Sequence, residues 1–240
     1  MKKLLTSSLY IVLLGLMVHD LSAQSYAFGL KLGPSAGYQL WDGRPRNNSL
    51  LFRYHAAAFI ETHDNVSDAY SLFLQAGYHV RGSAVRFPGG RTDADNIAIP
   101  AFTSALQFEN ISVVVGAKQK FDLDTDKKWF YSLGIRGDYT VNYNLQSFQG
   151  FEGGIRPFNY GINVGGGVEW ALQELIGLTF ELTISPDFSR QIYVPPLQNF
   201  PDPFTGNLRT LPEQNIRNAT VELSVGLRFL RKIEYIEDYW

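Results

Sequence analysis

The chain has 240 residues, of which 45% are hydrophobic, 14% aromatic and 18% charged; this excludes both intrinsic disorder and a bundle of apolar membrane helices. Cysteine is absent, so disulfides, thiol catalysis and thiolate metal sites are excluded. A formal net charge of −2 leaves no electrostatic footprint for nucleic acid.

Met1 to Ala23 reads as a cleaved secretory signal peptide. Lys2 and Lys3 form its charged start, Leu9 to Val18 its apolar stretch, and Leu21-Ser22-Ala23 the cleavage site before Gln24. The apolar stretch, closed by His19 and Asp20, is far shorter than the roughly 20 residues that a membrane helix needs.

From Gln24 onwards the chain alternates apolar with polar or tiny residues in eight stretches, a period of two that means strands with unlike faces. The first, Tyr26 to Trp41, shows Tyr26, Phe28, Leu30, Leu32, Ala36, Tyr38 and Leu40 on its apolar face. The second, Leu51 to His63, shows Phe52, Tyr54, Ala56, Ala58 and Ile60. The third, Ala69 to Phe87, shows Tyr70, Leu72, Leu74, Ala76, Tyr78 and Val80. In the fourth, Ala105 to Asp122, Ile111, Val113, Val115 and Ala117 share a face but Leu106 and Phe108 have the opposite parity, which predicts a bulge near Glu109 and Asn110. The fifth is expected to be the longest, with Trp129, Tyr131, Leu133, Ile135, Tyr139, Val141, Tyr143 and Leu145 aligned. The sixth carries Tyr160, Ile162, Val164, Val168 and Trp170, and the seventh Leu178, Phe180, Leu182, Ile184 and Phe188. The eighth runs from Val221 to Phe229, with Val221, Leu223, Val225, Leu227 and Phe229 opposed to Glu222, Ser224, Gly226 and Arg228.

No helical pattern is present to cover these eight apolar faces, so their natural solvent is lipid. The expected fold is all-β: an eight-stranded antiparallel up-and-down transmembrane β-barrel over residues 24–229, followed by a periplasmic tail over 230–240. Tight links around Asp64 to Ser67, Asp124 to Lys127 and Gln173 to Gly177 alternate with long ones, as short periplasmic turns alternate with long outer loops in the bacterial outer membrane. An even strand number then puts both termini in the periplasm. In that orientation Tyr26, Tyr70, Trp129, Tyr131, Trp170 and Phe229 gather at the periplasmic edge. Tyr38, Phe52, Tyr54, Tyr78, Tyr143, Tyr160 and Phe188 gather at the outer one.

Parity alone sends Lys31, Arg53, Arg81, Lys118, Arg136 and Arg228 inward, against Glu61, Asp138, Glu169, Glu181, Asp187 and Glu222. Eight strands leave room only for side chains, and charges removed from water persist when paired. The expectation is an ion-paired plug in place of a channel, with Glu222 near Lys31. No cofactor is expected, and a metal site at His55 and His79 lacks a third ligand. His63 is placed at a periplasmic turn, away from any site, and the Gly165-Gly166-Gly167 run lies inside a strand, where it cannot cradle a phosphate.

The link from Pro195 to Asn218 is stiffened by five prolines and carries Phe200 and Phe204. The tail mixes charge with Tyr235, Tyr239 and Trp240. These five aromatics are candidate docking residues for periplasmic or outer-membrane protein partners. Lipid and the barrel-insertion machinery, which reads a terminal strand such as Gly226-Leu227-Arg228-Phe229, are the other expected partners.

Four segments carry a resemblance: Phe28-Gly29-Leu30-Lys31-Leu32-Gly33, the Phe108 to Phe121 stretch ending in Lys118-Gln119-Lys120-Phe121, Leu133-Gly134-Ile135-Arg136, and Gly165-Gly166-Gly167-Val168-Glu169. Together they look like the outer-membrane barrel family of Bacteroidota that includes PorT-like proteins. Where that family often has proline near the start of the fourth strand, this chain has Ile111-Ser112. The resemblance implies an outer-membrane barrel and, from some members, an accessory role in type IX secretion and gliding. Two functions follow as expectations. One is a non-enzymatic scaffold or accessory subunit. The alternative is a small barrel hydrolase or acyltransferase built on the inward His55 and His79, with Ser35, Ser83 or Asp187 beside them.

Overall fold

In the computed structural model, which describes residues 25–42, 48–64, 68–91, 98–201 and 208–233, eight long strands make one antiparallel sheet closed into a ring. They are β1 (Ser25–Trp41), β2 (Leu51–His63), β3 (Tyr70–Phe87), β4 (Phe102–Asp124), β5 (Lys127–Asn144), β6 (Phe158–Gln173), β7 (Ile176–Pro186) and β8 (Gln214–Arg231). Each pairs with its neighbour in sequence, and β8 pairs back onto β1 from Tyr26↔Arg231 to Trp41↔Ile216. Closure leaves these strands no free edge. The signal peptide expected over Met1–Ala23 lies outside the described residues.

The two faces of the ring are inverted relative to a water-soluble protein. Leu30, Leu32, Phe52, Leu72, Ile135 and Leu182 stand exposed on the outside, while Glu61, Arg81, Lys120, Arg136 and Asp138 are buried within. Register carries outward aromatics into rows at both ends. At the end of the tight turns Phe28 stacks on Phe229, Phe121 on Trp129, and Gln119 donates 2.9 Å to the Tyr70 hydroxyl. Towards the other end Tyr54 and Tyr78 lie 6.4 Å apart, and Tyr160 is opposite Gly137.

Several expectations are corrected. β4, with 23 residues, is the longest strand, not β5. β7 stops at Pro186, which has no N–H to continue the ladder, so Phe188 lies beyond it. β8 begins at Gln214, inside the stretch expected to be loop, because inward Asn218 and Thr220 conceal its alternation.

The register does slip at Glu109/Asn110, but the additional residue is on β5, where Asn142 and Thr140 face those two positions. β4 itself stays in unbroken register with β3, from Tyr70↔Gln119 to Phe87↔Phe102. Leu106 and Phe108 therefore keep facing inward and are fully buried. Leu145, past the slip, is also buried instead of lipid-facing. These three join Val85, Phe148, Ile192 and Ile216 in an apolar cluster that fills the ring at the end opposite the tight turns. Phe148 comes from a 3₁₀ segment, Gln146–Gly154, and Trp41 and Phe151 pack edge to face beside it.

β3 reaches this cluster past a glycine. Gly82 has φ +139°, and a Cβ there would lie 1.8 Å from the Leu106 carbonyl oxygen, so only glycine fits. Pairing of β3 with β2 ends at His55↔His79, and the short strand Asn48–Ser49 takes over at Val85 and Ala84. Val80, expected on the lipid face, sits at this changeover and is buried. The longer connections add two small hairpins, Gly90–Arg91 with Ala98–Ile99 and Leu197–Pro201 with Leu208–Leu211, and a strand Ile192–Val194 along β8.

Candidate functional site

Inward charges separate into two groups along the ring axis. Nearest the tight turns, Glu61 on β2 accepts from Lys118 Nζ at 2.7 Å, Lys120 Nζ at 3.1 Å and Arg228 Nε at 2.7 Å. Glu169 on β6 accepts from Lys118 at 2.9 Å and lies 3.2 Å from Lys120. Two carboxylates and three cations from four strands thus meet in one place. Lys118 also lies over the Phe130 ring, 4.4 Å from its centroid, so its charge is held by acids and its stem by an inward aromatic. Lys31 on β1 pairs with Glu181 on β7 at 2.5 Å.

At the rim, Asp68 meets His63 at 3.0 Å, Lys120 at 3.3 Å and Lys128 at 3.4 Å. Burial alone raises the Asp68 carboxyl, but His63 at 3.0 Å and the charge of Lys120 outweigh it and bring it down to about 2.

The second group lies towards the apolar cluster. Arg136 donates to Asp138 at 2.8 Å, to Asn163 at 3.1 Å and to Asp187. Ser112 donates to Asp138 at 2.5 Å. Arg81 sits 3.8 Å from both Asp138 and Glu222, too far to donate a hydrogen bond, and acts as a charge between them. Above it a neutral net continues: Ser83 to Gln39, Gln39 to Asn218, Asn218 to Gln191, and Gln191 to Thr140.

His55 and His79 are directly opposed on β2 and β3, their rings stacked 5.4 Å apart at 9°. His79 Nδ1 lies 2.8 Å from Glu222 Oε1, and His55 Nε2 lies 2.8 Å from Ser224 Oγ. Both histidines thus reach β8 across the intervening β1. Gly33 makes this reach feasible: it is opposite His55, and a Cβ there would lie 1.9 Å from the Leu223 carbonyl oxygen. The candidate nucleophile is therefore Ser224, not Ser35, Ser83 or Asp187. Ser224 and both histidines are buried.

Of the twelve inward charges expected from parity, eleven are in these pairs. Arg53 is the exception: it donates to Gln107 at 2.9 Å and to the Phe52 carbonyl. Lys31 does not meet Glu222, since it lies opposite Gly226 whereas Glu222 lies opposite Ser35. Lys120 and Asp68 escaped the sequence reading, and His63, expected at a tight turn away from any site, is at that turn but meets Asp68. Lys120 shares the parity of Lys118 and was detectable; the approach of His63 and Asp68 depends on turn geometry that carries no periodic signal. Of the docking candidates, Phe204, Tyr235, Tyr239 and Trp240 lie outside the described residues, and Phe200 is in the short strand Leu197–Pro201.

The void amid Lys31, Glu61, Lys118 and Glu181 is about 20 Å³, room for a single water. A larger cleft of about 240 Å³ opens at the rim between His63, Asp68, Lys128, Arg228 and Lys232. No helix among the described residues is long and apolar enough to cross a membrane.

No protein-family model and no curated protein matches the chain. Among solved structures it is similar to the outer membrane protein OprG from Pseudomonas aeruginosa, at 10% identity and a TM-score of 0.47, covering 86% of this chain and 97% of that one. It is also similar to Neisserial surface protein A, at 12% identity and a TM-score of 0.44, covering 85% and 97%, and to the outer membrane protease OmpT from Escherichia coli, at 10% identity and a TM-score of 0.42, covering 87% and 97%.

Proposed function

We propose that the chain is an eight-stranded up-and-down β-barrel of a bacterial outer membrane, with both termini periplasmic and a closed, ion-paired lumen, acting as a scaffold or accessory subunit. The observation that carries this reading is the inversion of the two faces. A belt of exposed leucine, isoleucine, valine and aromatic side chains surrounds an interior of buried charge, which is stable when lipid meets the belt. The closed lumen is supported by the paired charges, the 20 Å³ void and the apolar cluster across one end. A non-enzymatic role is supported by the burial of the Ser224–His55 contact within that packed interior.

The refolded chain in planar bilayers should show no stable conductance, and an open pore in the unmodified protein would overturn the closed lumen. Fractionation should place it in the outer membrane with heat-modifiable mobility. Affinity purification from native membranes tests the accessory role; the sequence resemblance makes type IX secretion components the first partners to look for. Turnover of lipid or peptide that disappears in His55→Gln would favour the enzyme instead.

A further inference from the structure

Tyr193, on the short strand Ile192–Val194, carries two guanidinium groups: Arg156 and Arg190 each lie 5.3 Å from its ring centroid. Ile192 points into the apolar cluster, so Tyr193 points out. Neither guanidinium has a carboxylate or hydrogen-bond acceptor among the described residues. The two cations are at most twice that distance apart, so two positive charges are gathered on one ring. The other rim offers a contrast, since there one cation serves one ring: Lys127 over Trp170, and Arg231 over Tyr26, with Arg231 also bonded to the Tyr26 hydroxyl at 2.7 Å.

The backbone holds the pair in place. Arg156 N donates to the Gln191 carbonyl at 2.9 Å, Gln191 Nε2 donates back to the Arg156 carbonyl at 3.2 Å, and Ile155 bridges Ile192. Phe188 and Ser189 both donate their N–H to the Tyr160 carbonyl. The segments bearing the arginines are thus fastened to each other and to the top of β6, so little ordering is left for a ligand to impose. Immediately beside them Phe158, Tyr160 and Phe188 are exposed on the apolar belt.

We propose that Arg156 and Arg190, gathered on Tyr193, bind the phosphate of an outer-leaflet lipid headgroup whose acyl chains lie over Phe158, Tyr160 and Phe188. Guanidinium groups suit this task because their planar donors match phosphate oxygens in pairs. The apolar neighbours select a lipid over a free ion. The site rests on the membrane reading given above.

The test uses the full mature chain inserted into vesicles of neutral phospholipid containing either phosphorylated lipid A or its dephosphorylated form, then extracted gently and weighed by native mass spectrometry. The unmodified chain should retain phosphorylated lipid A through extraction. Arg156→Gln with Arg190→Gln should lower that retention by roughly tenfold or more, from charge-assisted bonds partly screened at the surface, while leaving retention of the dephosphorylated lipid unchanged. Excess inorganic phosphate should displace little of the lipid; full displacement would show a free-anion site and overturn the proposal. Equal retention of both lipids by the unmodified chain overturns the site alone. Failure to insert into either vesicle removes the membrane reading, and the site with it.

Discussion

Glu61 is the residue on which the lower charge group turns, since three cations approach its two oxygens. Glu61→Gln leaves Lys118 and Arg228 facing Glu169, and Lys120 shared between Glu169 and Asp68, and breaking a buried pair this way costs about 3–5 kcal/mol. The urea midpoint in detergent should fall accordingly, with little dependence on salt because the group is shielded from solvent. Asp68 gives the group its acid limit. Its folded carboxyl titrates below its unfolded value, at about 2, so its stabilisation is complete above the unfolded value and is lost as pH falls towards 2. Asp68→Asn should make unfolding less acid-sensitive between about pH 4 and pH 2, measured by tryptophan fluorescence; an unchanged acid transition would remove Asp68 from that role. At this scale the sequence was informative about sign and side but poor about partners. Parity sends Lys31 and Glu181 inward without revealing that they meet, because the stagger between strands decides which level each charge reaches.

Among the elements, β3 and β4 depart most from simple alternation. Beyond Gly82 their inward positions change from charge and amide to Val85, Leu106 and Phe108, so the ring continues as a small apolar core past the polar lumen. Phe108→Ala should cost about 3–5 kcal/mol by the cavity it leaves and should not open a conducting path, because the Arg136 and Glu61 groups persist below it. Gly82→Ala should be harsher than its size suggests, since both the positive φ and the Leu106 carbonyl oppose a methyl; heat-modifiable mobility would report the loss. The eight strands were legible because each has an exposed apolar face and a packed face. The apolar core was not, because an inward leucine looks like a parity error when the interior is assumed to be polar throughout.

For the whole molecule, the plug is layered: the Arg81 and Arg136 group lies between the apolar cluster and the Glu61 group. Arg81→Ser with Arg136→Ser removes the two largest fully buried side chains among the described residues and should still give no stable conductance in planar bilayers, because the layers on either side persist. A stable pore in a double variant that folds would locate the closure at these two arginines. The tight turns were legible from their length, whereas the longer connections, with no two-faced constraint on their residues, announced neither their hairpins nor the Ile192–Val194 strand. The interior bonds also say something about time. His55 meets Ser224 across 169 residues of sequence, Glu61 meets Arg228 across 167, Lys31 meets Glu181 across 150 and His79 meets Glu222 across 143. Contacts of such separation form late, after the entropy of a long loop has been overcome. Three of these four bonds end on β8, so until that last strand docks, His55 and His79 lack Ser224 and Glu222, and Glu61 is held by Lys118 and Lys120 without Arg228. A nascent chain halted before Gln214 would carry an open sheet whose inner face still prefers water, and arrival of β8 would convert it in one cooperative step.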